Sequence, residues 1–308
     1  MRLTAHEVLT LLSLRGVGGK NVLDIAGQGD GDLWMRVSKY GLKVSEGRVR
    51  VPCTEEHLRN ASVRADAIQR KCLSLGIDVV TYFDDAYPEK LRGTVDEDGS
   101  VCPPVLLYCK GDVTLLGRPC VAVIGTREPT EYGVRAAGYI SESFAKSGMA
   151  VVSGLALGCD TYAHRGALRA GGCTVAVMGG GLDAVYPVEN AGLADEILRA
   201  GGLLVSEYPP GAVVTRYTLV DRDRIQAALS AAVVVIQAGE KSGTMHAARA
   251  ALRGGRRLYA VCYSDAVTMA SDECSGNRSL LGLGAMSLRG SESISKIADE
   301  ILKNGEHC

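Results

Sequence analysis

At 308 residues the chain is long enough for one large α/β domain with a smaller attachment, and 46% hydrophobic content supplies a core. A formal charge of −1 and a pI near 6.5 exclude a uniformly polycationic, histone-like binder but leave room for a basic cleft on a neutral body. Ten scattered cysteines without a C-x-x-C or a Cys/His cluster exclude zinc modules, and with no signal-peptide core or membrane-length apolar run the expectation is a soluble, cytoplasmic protein with neither metal nor cofactor.

Thr4 can cap a first helix with an apolar face of Val8, Leu9, Leu11, Leu12 and Leu14. It stops at Arg15-Gly16-Val17-Gly18-Gly19-Lys20, and a second apolar segment follows at 22–25. Leu-x-Gly-Val-Gly between short helices fits a helix-hairpin-helix, whose glycines let turn N–H groups approach a DNA phosphate. It fits equally an αα-hairpin turn that only packs. A further helix is predicted over 62–75 and a short strand over 77–83. Then come an acidic surface loop to Ser100 and a strand over 105–108. This divides the chain into a small helical domain (1–75), a connector with short strands (76–115) and an α/β domain (116–308).

The α/β rhythm begins with the apolar run 121–124, which breaks on Gly125-Thr126-Arg127. A helical spacing of Val134, Ala137, Ile140, Phe144 and Ala145 follows, stopped by Gly148, and the run 150–152 breaks on Ser153-Gly154. That is one βαβ unit of a parallel sheet. Strands over 173–178, 203–206, 232–237 and 258–262 alternate with helices over 161–170, 190–200, 223–230 and 243–254, and 293–303 reads as a last short helix with no winged-helix module after it. Each strand ends in small residues, so the C-terminal edge of the sheet gathers N–H groups and helix N-termini, a setting that stabilises an anion. The dinucleotide and nucleotide-hydrolysing glycine fingerprints are both absent.

The ordered motifs Val121–Arg127, Ser153-Gly154-Leu155-Ala156-Leu157-Gly158-Cys159-Asp160 with Ala163-His164, Gly181-Leu182-Asp183 with Tyr186-Pro187, Ser206–Gly211, Arg222-Asp223-Arg224-Ile225 and Ser242-Gly243-Thr244 resemble those of the DprA/Smf family of DNA-processing proteins. The resemblance runs from the Gly-Val-Gly hairpin to Ser275-Gly276-Asn277-Arg278. It implies an extended Rossmann-like α/β fold, a mainly parallel sheet with helices on both faces, plus a small N-terminal helical domain like a sterile-alpha-motif or helix-hairpin-helix unit. It also implies a non-enzymatic protein that binds and protects incoming single-stranded DNA, assists loading of the RecA recombinase during natural transformation, and forms a homodimer. The implied DNA contacts are Gly125, Thr126, Arg127, Ser153, Gly154, Arg216, Leu219, Arg222, Arg224, Lys241, Ser242, Gly243 and Thr244.

Three departures bear on that site. Thr126 replaces the family's usual serine and keeps the hydroxyl; Asp223 stands between two arginines where asparagine is usual; and Leu219 occupies a position commonly aromatic, with Tyr217 nearby. Residues 212–260 carry eight Lys/Arg against three acids, the sign expected of a nucleic-acid groove, though solvated helix faces account for such an excess too. Asp160 and His164 are spaced as an acid/base pair, but capping and hydrogen bonding explain them more simply. The competing function is an enzyme or sensor for a nucleotide or nucleotide-sugar, like the phosphoribohydrolases, whose Pro-Gly-Gly-x-Gly-Thr loop is replaced here by Gly239-Glu240-Lys241-Ser242-Gly243-Thr244.

Overall fold

The computed structural model describes residues 2–305; Cys308 lies outside them. Thr4 caps α1 (Ala5–Leu12), its hydroxyl accepting the Glu7 N–H while Glu7 reaches back to the Thr4 backbone. The glycine-rich turn leads into α2 (Gly19–Ala26), and Asp32 caps α3 (Leu33–Tyr40). An antiparallel hairpin follows that sequence periodicity did not announce, β1 (Lys43–Glu46) with β2 (Val49–Pro52). It closes over the glycine turn. Arg50 Nη1 donates to Gly16 O at 2.9 Å, and the Gly18 N–H is taken by Asn21 Oδ1 at 3.1 Å, so these groups serve packing within the unit. Helix α4 (Glu55–Ser74) starts at Glu55 rather than residue 62, because the Thr54 hydroxyl accepts the His57 N–H and sets the first turn.

The nine-stranded sheet has the order β11-β10-β9-β5-β6-β7-β8-β4-β3. Strands β3 (Asp78–Thr81) and β4 (Leu106–Gly111) add at one edge, antiparallel to each other and β4 antiparallel to β8, so the segment 76–115 contributes to the sheet itself. The parallel part runs β5 (Cys120–Ile124), α5 (Glu131–Lys146), β6 (Ala150–Ser153), α6 (Cys159–Arg169), β7 (Thr174–Val177), α7 (Ala191–Arg199) and β8 (Leu203–Ser206). The chain then returns through α8 (Arg216–Leu229) to β9 (Ala232–Val235) on the other side of β5, and continues with α9 (Thr244–Arg253), β10 (Arg257–Val261), α10 (Ala266–Ala270), α11 (Ser275–Gly282), β11 (Met286–Leu288) and α12 (Gly290–Gly305). The five strands read from the sequence in the α/β region up to residue 235 all share this sheet.

The central strands are short, β-branched and buried on both faces, as a helix-covered parallel sheet requires. Val121, Val123 and Val151 pack against Ile140 and Phe144 of α5, Ala163 of α6 and Ile294, Ile297 and Ile301 of α12. On the opposite face Ala122, Ile124 and Val152 meet Ile225 and Leu229 of α8 and Ala247 and Ala251 of α9. Each such fully buried branched or aromatic side chain contributes roughly 1.5–3 kcal/mol. A third cluster joins Val8, Leu9 and Leu11 of the N-terminal unit to Leu106, Tyr108 and Leu204, so that unit shares a core with the edge of the sheet.

This order has one topological reversal. From β5 the chain winds outward through β6, β7 and β8, then restarts at β9 on β5's other side. The loops leaving β5 and β9 therefore diverge above their C-terminal ends, where open α/β sheets hold their ligands.

Candidate nucleic-acid interface

A cleft of about 630 Å³ opens at that reversal. One wall is Gly125-Thr126-Arg127 from the end of β5, and a second is Lys241-Ser242-Gly243-Thr244 leading into α9. The third is the inner stripe of α8, Leu219, Arg222, Asp223 and Gln226, which the three-to-four spacing of a helix brings to one side. Arg216 lines the rim, and Tyr186, Val214 and Leu219 supply apolar surface.

The Arg127 loop is built to stay put. Thr126 N–H donates to Gln237 O at 2.7 Å, and Thr126 O accepts from Cys159 N–H at 3.0 Å. A Cβ on Gly125 would lie 2.5 Å from Cys159 Sγ, and one on Gly158, at φ +76°, would lie 2.4 Å from Arg127 O. Only glycine permits that approach. The buried Gln237 amide also takes up the Thr130 N–H at 2.9 Å, tying the end of β9 to the start of α5. Arg127 itself is exposed, and neither it, Lys241 nor Arg216 forms an ion pair among the described residues. These three cations face solvent beside the N-terminus of α9, where backbone N–H groups and the helix dipole add positive potential.

Two polar atoms lining the cleft have no protein partner. The Ser242 hydroxyl and Gln226 Oε1 are both buried and unpaired, although Gln226 is only 2% exposed. An unsatisfied buried polar atom costs about 1–3 kcal/mol, so both are local costs built into the wall of the cleft. The Gln226 amide nitrogen is already engaged, donating to Asp223 Oδ1 at 2.9 Å.

Arg222 is the buried cation of the floor. Its Nη1 donates to Val177 O at 2.8 Å and its Nε lies 3.1 Å from Asp223 Oδ1. Burial pushes the Asp223 carboxyl up to about 7 against the pull of Arg222 and Arg127. Asp160, at the start of α6, is raised for the same reason, opposed by Arg222 and by the N–H groups of Ala156 and Gly154. It accepts from Gly154 N–H at 3.1 Å, which makes it a cap for that loop. His164 is completely buried, shares a 2.7 Å hydrogen bond with Thr174 Oγ1 and is held neutral, lowered to about 3 by burial.

Three residues assigned to the interface from the sequence fall elsewhere, a correction to that assignment's geometry. Ser153 is fully buried and donates to Val123 O at 2.7 Å, as part of the sheet end. Gly154 is small because a Cβ there would sit 1.5 Å from Arg222 Nη1, so it makes room for a side chain beneath the cleft. Arg224 points away to a close ion pair with Glu207, a second with Asp221 at 3.0 Å, and a hydrogen bond to Cys102 O at 3.1 Å. Gln226, Val214 and His246 line the cleft without having been singled out, Tyr186 stands in a motif but outside the assigned interface, and Gln226 has no sequence signal beyond its helical spacing from Arg222.

A family model described as DNA recombination-mediator protein A matches residues 78–300. The chain belongs to the DNA recombination-mediator protein A family. The DNA processing protein DprA of Bacillus subtilis is 37% identical over 188 residues, 60% of this chain and 61% of that protein. Protein Smf of Escherichia coli is 37% identical over 175 residues, 57% of this chain and 45% of that protein. The chain thus spans about half the length of the curated relatives it matches. The X-ray structure of DNA processing protein A from Streptococcus pneumoniae superposes with a TM-score of 0.77 at 28% identity, covering 96% of this chain and 98% of that one. The Helicobacter pylori protein of the same family, whose structure concerns its single-stranded DNA binding mode, superposes with a TM-score of 0.61 at 31% identity over 74% of this chain and 96% of that one. The extended α/β architecture is therefore the family's, and the match to the Streptococcus pneumoniae structure extends over the helical N-terminal region as well. No helix among the described residues is long and apolar enough to cross a membrane.

Proposed function

We propose that the cleft above β5 and β9 binds single-stranded DNA and that the protein processes DNA for recombination. The observation that carries this reading is the pairing of an unneutralised cationic wall, Arg127, Lys241 and Arg216 beside the α9 N-terminus, with an apolar wall of Tyr186, Val214 and Leu219. Phosphates suit the first and unstacked bases the second. The membership of the family and the single-strand binding of its Helicobacter pylori member support the same assignment. Gly125, Thr126, Ser242, Gly243 and Thr244 shape the anion pocket. We take the work to be binding without catalysis, in the cytoplasm, with the strand passed to a RecA-type recombinase by a homodimer. The phosphoribohydrolase-like alternative calls for an acid/base pair in the cleft; Asp160 lines it but is engaged by the Gly154 N–H, and His164 is fully buried against Thr174, so the two do not form such a pair there.

The test is a mobility shift with labelled oligothymidylate at two salt concentrations. Arg127→Ala and Lys241→Ala should each weaken binding for all sequences alike and flatten the log–log salt slope by roughly 0.7 for every phosphate left without its cation. Unchanged affinity and slope in both variants would remove the cleft from consideration. Light scattering that returns a monomer mass at micromolar concentration would remove the homodimer.

A further inference from the structure

The cleft does not end at Arg216. It continues into a second groove of about 790 Å³ that shares Arg216, Val220 and His246 with it. One side of this groove carries two arginines, Arg216 and Arg253, with His246 between the groove and the cleft. The other is a loop carrying Asp96, Glu97 and Asp98 in succession. Three consecutive carboxylates on a flexible segment would spread into solvent, but this loop is braced. Val95 and Val101 form an isolated bridge, Asp96 Oδ1 accepts from Asp98 N–H at 3.1 Å, and Asp98 Oδ1 accepts from Ser100 N–H at 2.7 Å. Its base is fastened from the other side, where Arg224 Nη1 donates to Cys102 O. The arginine that the sequence assigned to DNA thus holds the acidic loop in position.

The loop also touches the opposite wall. Glu97 Oε1 lies 3.2 Å from His246 Nδ1, with the Glu97 side chain 72% exposed and therefore displaceable. We propose that the loop 95–101 is a built-in competitor for nucleic acid, its carboxylates standing where strand phosphates would otherwise meet Arg216, His246 and Arg253. This rests on the reading of the adjoining cleft as a single-strand site. A strand leaving the cleft past Arg216 enters the groove that the three carboxylates line, where their repulsion is screened over a Debye length of about 8 Å at physiological salt, and to reach His246 it must displace Glu97. The loop shortens the strand's footprint and lowers the affinity for any polyanion, most strongly at low salt.

The experiment compares the full chain with the triple variant Asp96→Asn, Glu97→Gln, Asp98→Asn, whose amide oxygens preserve the acceptors that brace the loop. A control loses the same charge elsewhere, as Glu196→Gln, Glu292→Gln, Asp299→Asn, all at exposed positions. Binding of oligothymidylate is measured at low and high salt, and unchanged melting verifies the fold. The triple variant should bind about fivefold tighter at low salt, the gain shrinking at high salt, while the control moves by less than about twofold. Parental affinity in the folded triple variant, or an equal gain in the control, overturns the proposal. Arg127→Ala separates it from the cleft assignment. If that variant binds weakly while the triple variant matches the parent, the competitor alone is wrong. If Arg127→Ala binds as the parent does, the cleft assignment fails and the competitor falls with it.

Discussion

Asp223→Asn is the perturbation that reads the floor of the cleft. Burial raises the carboxyl to about 7, so the group is mostly neutral at pH 6 and mostly ionised at pH 8. If a strand phosphate beside Arg127 tolerates only the neutral form, affinity scales as the protonated fraction. That fraction falls about tenfold between pH 6 and pH 8, roughly 1.4 kcal/mol. Titration of labelled oligothymidylate at constant ionic strength should show this fall for the parent and a flat profile for Asp223→Asn, which should bind at pH 8 as the parent does at pH 6. Stability moves with a definite sign too. A carboxyl whose folded value lies above its ordinary 3.8 stabilises the fold fully below about pH 4 and loses that contribution as pH rises towards 7. Its ceiling is roughly 4 kcal/mol. Asn keeps an acceptor for the Gln226 amide and cannot ionise, so parental stability relative to the variant should decline between pH 4 and 7. A variant whose binding falls with pH in parallel with the parent would clear Asp223 of any part in the pH dependence.

Gly154→Ala should destabilise the fold by about 1–3 kcal/mol through its collision with the Arg222 guanidinium, read as a lower urea midpoint; an unchanged midpoint would show that Arg222 rearranges freely. Arg224→Ala should cost about 3–5 kcal/mol by stranding buried Glu207, with partial recovery in the double variant with Glu207→Ala, and should leave the salt slope of DNA binding unaltered. A slope flattened by roughly 0.7 in the folded Arg224→Ala protein would instead restore Arg224 as a phosphate ligand.

Much of the sheet is legible in the sequence because each central strand is a short apolar run ended by glycine or serine, a pattern that fully buried parallel strands impose. Helix α8 is not, over its first half. Residues 216–222 carry no apolar stripe, and only Thr215, whose hydroxyl accepts the Thr218 N–H, marks the true start. Strands β3 and β4 look like a connector because β4 is placed by pairing with β8 and β3 by pairing with β4, long-range contacts without local trace. In the site, Arg127 and residues 241–244 could be read directly, since strand ends and helix starts are local features. Gly154 signals a close approach, but the approaching group is the Arg222 side chain. Arg224 looks like a phosphate ligand until Glu207, remote in sequence, is placed beside it.

The position of β5 has a consequence for how the protein is made. During synthesis β5 can pair with β6 as soon as both have emerged, and β7 and β8 extend that half in order. Its other flank, whose Cys120 and Ile124 carbonyls later accept from the Ala231 and Ile236 N–H groups, stays an unprotected sheet edge until β9 has left the ribosome, and such edges invite pairing with other chains. The same event that seals the edge brings Gln237 to the Thr126 N–H and the Lys241 loop opposite Arg127. A nascent chain therefore acquires its ligand cleft at the moment it ceases to be a template for aggregation, and a chain stalled before β9 has neither the cleft nor the protection.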